Sequence, residues 1–399
     1  MSTTKKHEIV VLGGNFGGLS ATHYLLRHTI PALQKLDKDQ TYHVTLVTPN
    51  TDFLFKPATP RILIAPELLP ESKIWRPLSD GLKRYSADQV TLVQGIATDL
   101  DPAKRAITVS LKPSRGEQTL SYDTVVIATG TTSASPAYTL HDNQSLTTET
   151  FKSVKAALAD GAKTVLIAGG GAVGVETAGE VASAYPSAEV TLLSGADRLL
   201  KRTEARVGTR AQDYLQRHLG VKVVHNIRVT GLKGDGPSKT ATLSDETTRT
   251  VDVYIDATGG TPNSKFLPKE WLDESGRVIK KDAYFRVKGG GEDDAQGAYI
   301  IGDIVAGSNN TIFELDANVP TACSAIGVDI AAKIGQEGKA PPLKEFKPMK
   351  NTIIVPVGPS GGVGLLLGWC APSFFVKFVK CKTFLTEMID GIVSGDKWK

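Results

Sequence analysis

Two copies of one local pattern predict an α/β fold for this chain of 399 residues. Each copy is a short apolar strand, a glycine-rich turn and a helix-compatible run, first in residues 7–28 (HEIVVLGGNFGGLSATHYLLRH) and again in 164–181 (TVLIAGGGAVGVETAGEV). A second repeat, a strand closing in Ala-Thr-Gly, occurs at Ala128-Thr129-Gly130 and again at Ala257-Thr258-Gly259. Repeated elements in the same order indicate duplicated architecture. The apolar strands suit a parallel sheet covered on both faces, so the expected fold is two Rossmann-like units.

In the first copy, the strand Ile9 to Leu12 runs into Gly13, Gly14, Asn15, Phe16, Gly17 and Gly18. Such a loop brings unpaired amides and the positive end of a helix to a pyrophosphate. Asn15 stands where the middle glycine is expected, and Asn tolerates the left-handed conformation better than most residues. The next strand, 42–48, ends at Thr48, where a flavin-binding unit usually carries an acid for the adenosine ribose. Thr48 and Asn50 are the hydrogen-bonding substitutes. The loop 52–63 then supplies two cations, Lys56 and Arg61, which either sit in solvent or reach the site.

Residues 90–127 read as short strands, the last ending in the Ala128-Thr129-Gly130 turn, and 131–138 (TTSASPAY) as a crossover rich in Ser, Thr and Pro. In the second copy Gly169 allows the tight turn, Gly171 lets the backbone approach a pyrophosphate, and Gly174 lets the helix opened by Ala172 and Val173 pack on the strand. This unit reads as the nicotinamide half of a two-nucleotide enzyme. Its second strand ends at Ser194, with Arg198 and Arg202 just beyond. Those arginines are either ordinary surface charges or contacts for a 2′-phosphate, so NADH and NADPH both stand. After a strand at 298–301 come Gly302 and Asp303, whose carboxylate suits a ribityl chain or a pyrophosphate, and a helix-compatible run over 320–335.

Composition excludes several classes. The apolar fraction of 41% and charged fraction of 22% are those of a globular protein, which sets disorder aside. No apolar run reaches the roughly 18 residues of a membrane-spanning helix. The first strand starts too early for a signal peptide, so cytoplasmic residence is expected. Cys323, Cys370 and Cys381 have no metal-ligand or CxxC spacing; no metal site and no redox disulfide are expected. The net charge of +4 is too small to suggest nucleic-acid binding, and it is carried by the tail from residue 341, with eight lysines against four acids.

Within that tail, Leu365, Leu366, Leu367, Trp369, Phe374, Phe375, Phe378 and Val379 alternate with Lys377, Lys380 and Lys382. Residues 363–385 read either as an interfacial helix making peripheral membrane contact or as a helix packed on the core.

The motifs GGNFGG, ATG, GGGAVGVE, ATGGTPN and AYIIGD together resemble the two-dinucleotide flavoproteins. The resemblance is strongest to apoptosis-inducing-factor-like and ferroptosis-suppressor-type NAD(P)H:quinone oxidoreductases, and it covers nearly the whole chain. It implies an FAD-binding domain over 1–135 and 265–340, an inserted NAD(P)H-binding domain over 136–264, and a small α+β domain over 341–399. It implies FAD at Gly13, Gly14 and Gly18, Arg61 near the FAD phosphates or the flavin, and Asp303 on the ribityl or pyrophosphate. Ala128, Thr129, Gly130 and Gly259 bring backbone close to the cofactors. Glu176 corresponds to the acid that in such proteins sits near nicotinamide and flavin; otherwise it is a helix-end charge. Val319 and Pro320 occupy the place of a lysine found beside the flavin in some relatives, leaving Lys56 as the nominated partner for Glu176.

The expected activity is hydride transfer from NADH or NADPH to FAD, then electrons to a quinone-like or other diffusible acceptor. Two alternatives stand beside it: an NAD(P)H-responsive redox sensor acting through a partner or homodimer surface, and a tailoring flavoenzyme for one organic substrate.

Overall fold

The computed structural model describes residues 6–112, 116–141, 143–291, 295–340, 342–347 and 352–399. Its largest sheet has seven strands in the order Ala298–Ile300, Thr124–Ile127, Lys6–Leu12, Thr41–Thr48, Val90–Asp101, Ala106–Leu111 and Glu117–Ser121. The first five are parallel, and the last two return as antiparallel hairpins. Ile9 to Leu12 and Val125 to Ile127 are at most 1% exposed, as expected for strands covered on both faces. The sheet draws strands from both sides of a second sheet, Lys222–His225, Glu189–Ser194, Thr164–Ala168 and Val253–Asp256, in which every pairing is parallel. The fold is the expected α/β arrangement of Rossmann-like units with a small α+β element at the carboxy end.

The two sheets are stitched together by their Ala-Thr-Gly turns. The short strands Thr131–Ser133 and Gly260–Pro262 pair antiparallel. Asn263 Nδ2 donates to Thr129 O at 2.8 Å, and Thr129 Oγ1 donates to Asn263 O at 2.8 Å.

Two elements differ from expectation. The helix expected over 320–335 runs from Ile312 to Lys333, so Pro320 lies inside it. Its start is set by Thr311, whose hydroxyl accepts from the Glu314 amide at 3.1 Å, and packing of its buried residues Leu315, Val319, Ala322 and Ile326 on the core holds it through the proline. The tail is not one helix over 363–385. Ile353–Pro356, Gly362–Leu366 and Trp369–Cys370 form an antiparallel sheet, followed by a helical turn Ser373–Val376 and a widened π-helical turn Lys377–Cys381. Gly361, Gly362, Gly364, Gly368 and Pro372 explain the break, because glycine favours turns and proline starts rather than continues a helix. Among the described residues no helix is long and apolar enough to cross a membrane.

The chain then folds back onto the helix that follows the first glycine loop. His23 Nε2 contacts Val393 O at 2.8 Å, Arg27 donates to Gly395 O at 2.9 Å, and His28 Nε2 contacts Trp398 O at 2.6 Å. The tail is thereby clamped to the helical segment that follows the first glycine loop.

Candidate functional site

The two glycine loops are built alike, glycine for glycine. Gly13 and Gly169 have φ of +110° and +124°, and a Cβ on either would lie 2.4 or 2.2 Å from the carbonyl oxygen of Ala128 or Ala257. A Cβ on Gly18 or Gly174 would sit 1.7 or 1.8 Å from the Gly13 or Gly169 oxygen, where the helix crosses the strand. Gly14 and Gly170 rest on Thr48 and Ser194, the last residues of the neighbouring strands, each with a hydroxyl oxygen 2.6 Å from the Cβ position. Only glycine lets strand, turn and helix approach this closely.

The middle position behaves differently. Gly171 has φ −78° and open space where its Cβ would point, so glycine there keeps backbone accessible rather than relieving strain. Asn15 has φ −94°, an extended conformation, and not the left-handed one expected of it. Its Nδ2 donates to Leu54 O at 3.2 Å, while its Oδ1 is buried without a partner among the described residues. An orphaned acceptor beside a glycine cradle fits a ligand that brings a hydroxyl donor, as a dinucleotide's ribose does. Phe16 turns inward, its ring 4.8 Å from Phe53 and 5.5 Å from Phe55.

The expected ribose ligands are engaged within the protein. Thr48 Oγ1 donates to Asn50 O at 3.1 Å, and Asn50 Nδ2 donates to His141 O at 2.7 Å. Ser194 is 1% exposed and its hydroxyl turns to the carbonyls of Ala196 and Arg198, both at 3.1 Å. Arg198 spends its guanidinium on the carbonyls of Leu200, Lys201 and Thr203, at 3.2, 2.8 and 2.8 Å.

At the end of strand Ala298–Ile300, Gly302 takes φ +84° and presents Asp303. Lys56 Nζ lies 2.5 Å from Asp303 Oδ2. Burial pushes the Asp303 carboxyl up, but Lys56, with Arg277 and Arg202 nearby, more than offsets this and holds it below the usual range. Lys56 is therefore not the partner of Glu176. It lies on the loop at the carboxyl end of the first sheet, where it faces Asp303.

Glu176 has another cation. Lys380, from the widened turn of the tail, places Nζ 2.7 Å from Glu176 Oε1, and the two side chains are only 13% and 5% exposed. Burial raises the Glu176 carboxyl pKa, and Lys380 only partly counters it. One turn along the same helix, Glu180 takes both arms of Arg61, Nε to Oε2 at 2.5 Å and Nη2 to Oε1 at 2.8 Å. Arg61 Nη1 also donates to Cys381 O at 3.1 Å, and its guanidinium lies over the Phe384 ring at 4.9 Å. Arg61, expected near the FAD phosphates or the flavin, is thus committed to a buried ion pair that joins the two nucleotide units and the tail.

Sequence reasoning missed Glu180 and the role of Lys380. Glu180 carried a signal, four residues after Glu176 and so on the same helix face. Lys380 carried none, because its pairing spans 204 residues of chain.

Two dinucleotide cradles on parallel sheets, joined at their Ala-Thr-Gly turns and meeting at paired buried charges, define a two-nucleotide flavoprotein oxidoreductase. The chain belongs to the pyridine nucleotide-disulphide oxidoreductase family, whose sequence signature matches residues 7–325. It uses FAD and NAD(P)H. Oxidoreductase phnG of Penicillium herquei is 32% identical over all of this chain and 98% of its own length. Human ferroptosis suppressor protein 1 is 23% identical over 94% of this chain and 92% of its own. Among solved structures, the sulfide:quinone oxidoreductase of Aquifex aeolicus has the same fold, with a TM-score of 0.72 at 16% identity, covering 98% of this chain and 92% of that one. Cys323, Cys370 and Cys381 are free thiols. Burial raises the thiol pKa of Cys323 and of Cys381, the latter to about 11, which makes neither a ready nucleophile.

Proposed function

We propose that this protein passes an electron pair from NAD(P)H to a diffusible, quinone-like acceptor that is reached from the side of the carboxy-terminal segment. The reading assigns FAD binding to 1–135 and 265–340, NAD(P)H binding to 136–264, and the acceptor side to 341–399. When bound, FAD would supply the redox chemistry, a two-electron exchange between the nicotinamide and the acceptor. The loops Gly13–Gly18 and Gly169–Gly174 hold the two pyrophosphates at helix N-termini. Asp303, kept ionised by Lys56, accepts hydroxyl hydrogen bonds at the end of its strand.

The observation that carries the reading is the Glu176–Lys380 pair. Reducing a quinone to a hydroquinone takes two electrons and two protons, and a hydride brings only one proton. The Lys380 ammonium, with Glu176 beside it, is a buried proton source at the junction of the nicotinamide helix and the tail. The turn of Lys380 and the hairpin and helical turn before it expose apolar surface: Leu367, Trp369, Phe374 and Phe378 are 71%, 81%, 74% and 87% exposed. Lys377 and Lys382 are exposed beside them. Aromatic groups flanked by lysines suit a lipid surface, where apolar acceptors are dissolved.

The test is anaerobic reduction of the holoenzyme by NADH and by NADPH, followed by a panel of quinones, dyes and oxygen. Bleaching of the flavin and rapid recovery with quinones is the expected result. A reduced protein that none of the quinones reoxidises would overturn it. A second reading, a flavoenzyme acting on one particular organic substrate, is favoured by the 32% identity to a fungal oxidoreductase whose name carries no quinone. It predicts bleaching by NAD(P)H without quinone turnover.

A further inference from the structure

The nicotinamide unit lacks an acid at the position that reads the adenosine ribose. Strand Glu189–Ser194 ends in a serine whose hydroxyl is buried beneath Gly170 and turned to the carbonyls of its own loop. A free 2′-hydroxyl finds no carboxylate at this strand end. The acid nearest in sequence, Asp197, is held by Lys201 at 2.6 Å.

The cations around this strand end are unequal. Arg198, the obvious candidate, caps three carbonyls and is locked into its loop. Arg228 is different. Strand Lys222–His225 lies parallel to Glu189–Ser194, with His225 opposite Ser194. Beyond it the chain turns back: the Asn226 amide donates to Ala196 O at 3.1 Å, and the Ile227 amide to Ser194 O at 3.2 Å. This turn lays the Arg228 side chain flat on Gly195. A Cβ there would meet Arg228 Nε at 2.7 Å and Cγ at 2.8 Å, so glycine at 195 makes the space the arginine fills. The Arg228 backbone is fixed in turn by Ser244, whose hydroxyl accepts from its amide at 3.1 Å and whose amide donates to its carbonyl at 2.8 Å.

Arg228 is exposed, makes one long hydrogen bond to Gly195 O at 3.5 Å, and forms no ion pair among the described residues. Its fork is therefore available beside the strand end that carries no acid. A guanidinium matches a phosphate through two parallel N–H donors, and no lysine reproduces that geometry.

We propose that Arg228 binds the 2′-phosphate of NADPH and makes this protein prefer NADPH over NADH. The inference concerns the donor side only and does not depend on which acceptor is reduced. It is tested without turnover, by calorimetric titration of the FAD-loaded protein with 2′-phospho-ADP-ribose and with ADP-ribose. The phosphorylated ligand binds more tightly, by roughly tenfold to a hundredfold, the range of a charge-assisted bidentate contact. Arg228→Ala removes most of that difference while leaving ADP-ribose binding and flavin content as they were. Arg228→Lys retains part of it, and Arg228→Glu reverses it. The ratio of kcat/KM for NADPH over NADH moves in the same direction. Equal binding of the two ligands by the unaltered protein, or a difference that survives Arg228→Ala, overturns the proposal. Failure of both ligands to bind would count against the nicotinamide site itself, and the proposal would fall with it.

Discussion

Lys380 Nζ lies 2.7 Å from Glu176 Oε1, so the last tenth of the chain delivers a charge to the helix that follows the second glycine loop. Lys380 sits on the same turn as the largely exposed ring of Phe378 and the buried thiol of Cys381. One turn of backbone thus divides its side chains between the ion pair with Glu176, the core and the surface.

Removing either member of that pair should slow turnover without releasing FAD. Glu176→Gln and Lys380→Met are expected to lower kcat by about a hundredfold, the scale of a general acid's contribution. Lys380→Arg should recover part of the rate. The flavin absorbance of purified protein separates this from misfolding, and unchanged kinetics in both variants would reduce the pair to a structural contact.

The Arg61–Glu180 pair should act on stability instead. Both side chains are at most 2% exposed, so losing one partner leaves an uncompensated buried charge, which costs about 3–5 kcal/mol. Arg61→Ala is therefore expected to shift the denaturation midpoint strongly. The double variant Arg61→Met with Glu180→Leu should cost less than either single change, because it removes both desolvation penalties. Guanidinium unfolding curves for the set would show whether that ordering holds.

Glycine substitutions should separate the cradle's two roles. Gly13→Ala combines φ +110° with a Cβ 2.4 Å from Ala128 O, and protein made with it should purify without flavin. Gly171→Ala meets no neighbour and no positive φ, so it should keep both its Tm and its FAD while weakening NAD(P)H binding. Loss of FAD from the second variant would show that the two cradles are not independent.

The tail clamp should loosen in acid. Burial, partly opposed by the hydrogen bond to Val393, lowers the His23 pKa from 6.5 to about 4. Between those values the unfolded chain binds more protons than the folded one. The stabilisation is therefore complete above pH 6.5 and is lost as pH falls towards 4, amounting to about 2 kcal/mol by pH 5. Asp396, drawn down to about 2 through its hydrogen bond from Arg84, stays charged throughout that window. Melting curves at pH 7.5 and pH 5 should show a larger fall for the native protein than for His23→Gln.

The exposed aromatic surface makes a separable prediction. Phe374→Ser with Phe378→Ser should reduce co-sedimentation with anionic liposomes and leave the melting temperature unchanged. Phe375 belongs in a different set, since it packs against the small core of Ala371, Val376 and Cys381, and Phe375→Ser should destabilise the tail. Equal sedimentation of native and doubly substituted protein would refute a lipid-facing role.

Residues 7–28 and 164–181 already held the two cradles, because strand, turn and helix start lie within about twenty consecutive residues and glycine spacing is a local constraint. The Ala-Thr-Gly turns and Gly302-Asp303 were legible for the same reason. The assignments that needed side chains to meet across the fold fared differently. Arg61 and Lys56 were both visible as cations on one loop, yet nothing in the sequence told that one would face Glu180 and the other Asp303.

What this sequence determined by itself is the duplicated α/β architecture and the position of each glycine-rich loop, since both follow from hydrophobic runs and backbone freedom over short stretches. What only the tertiary structure decided is which charges pair: Glu176 with Lys380, Glu180 with Arg61, Asp303 with Lys56, and Arg228 with none among the described residues. The physical reason is that a buried charge is stable only beside its counter-charge. That proximity depends on how sheets and tail pack and is not encoded in any one stretch of chain.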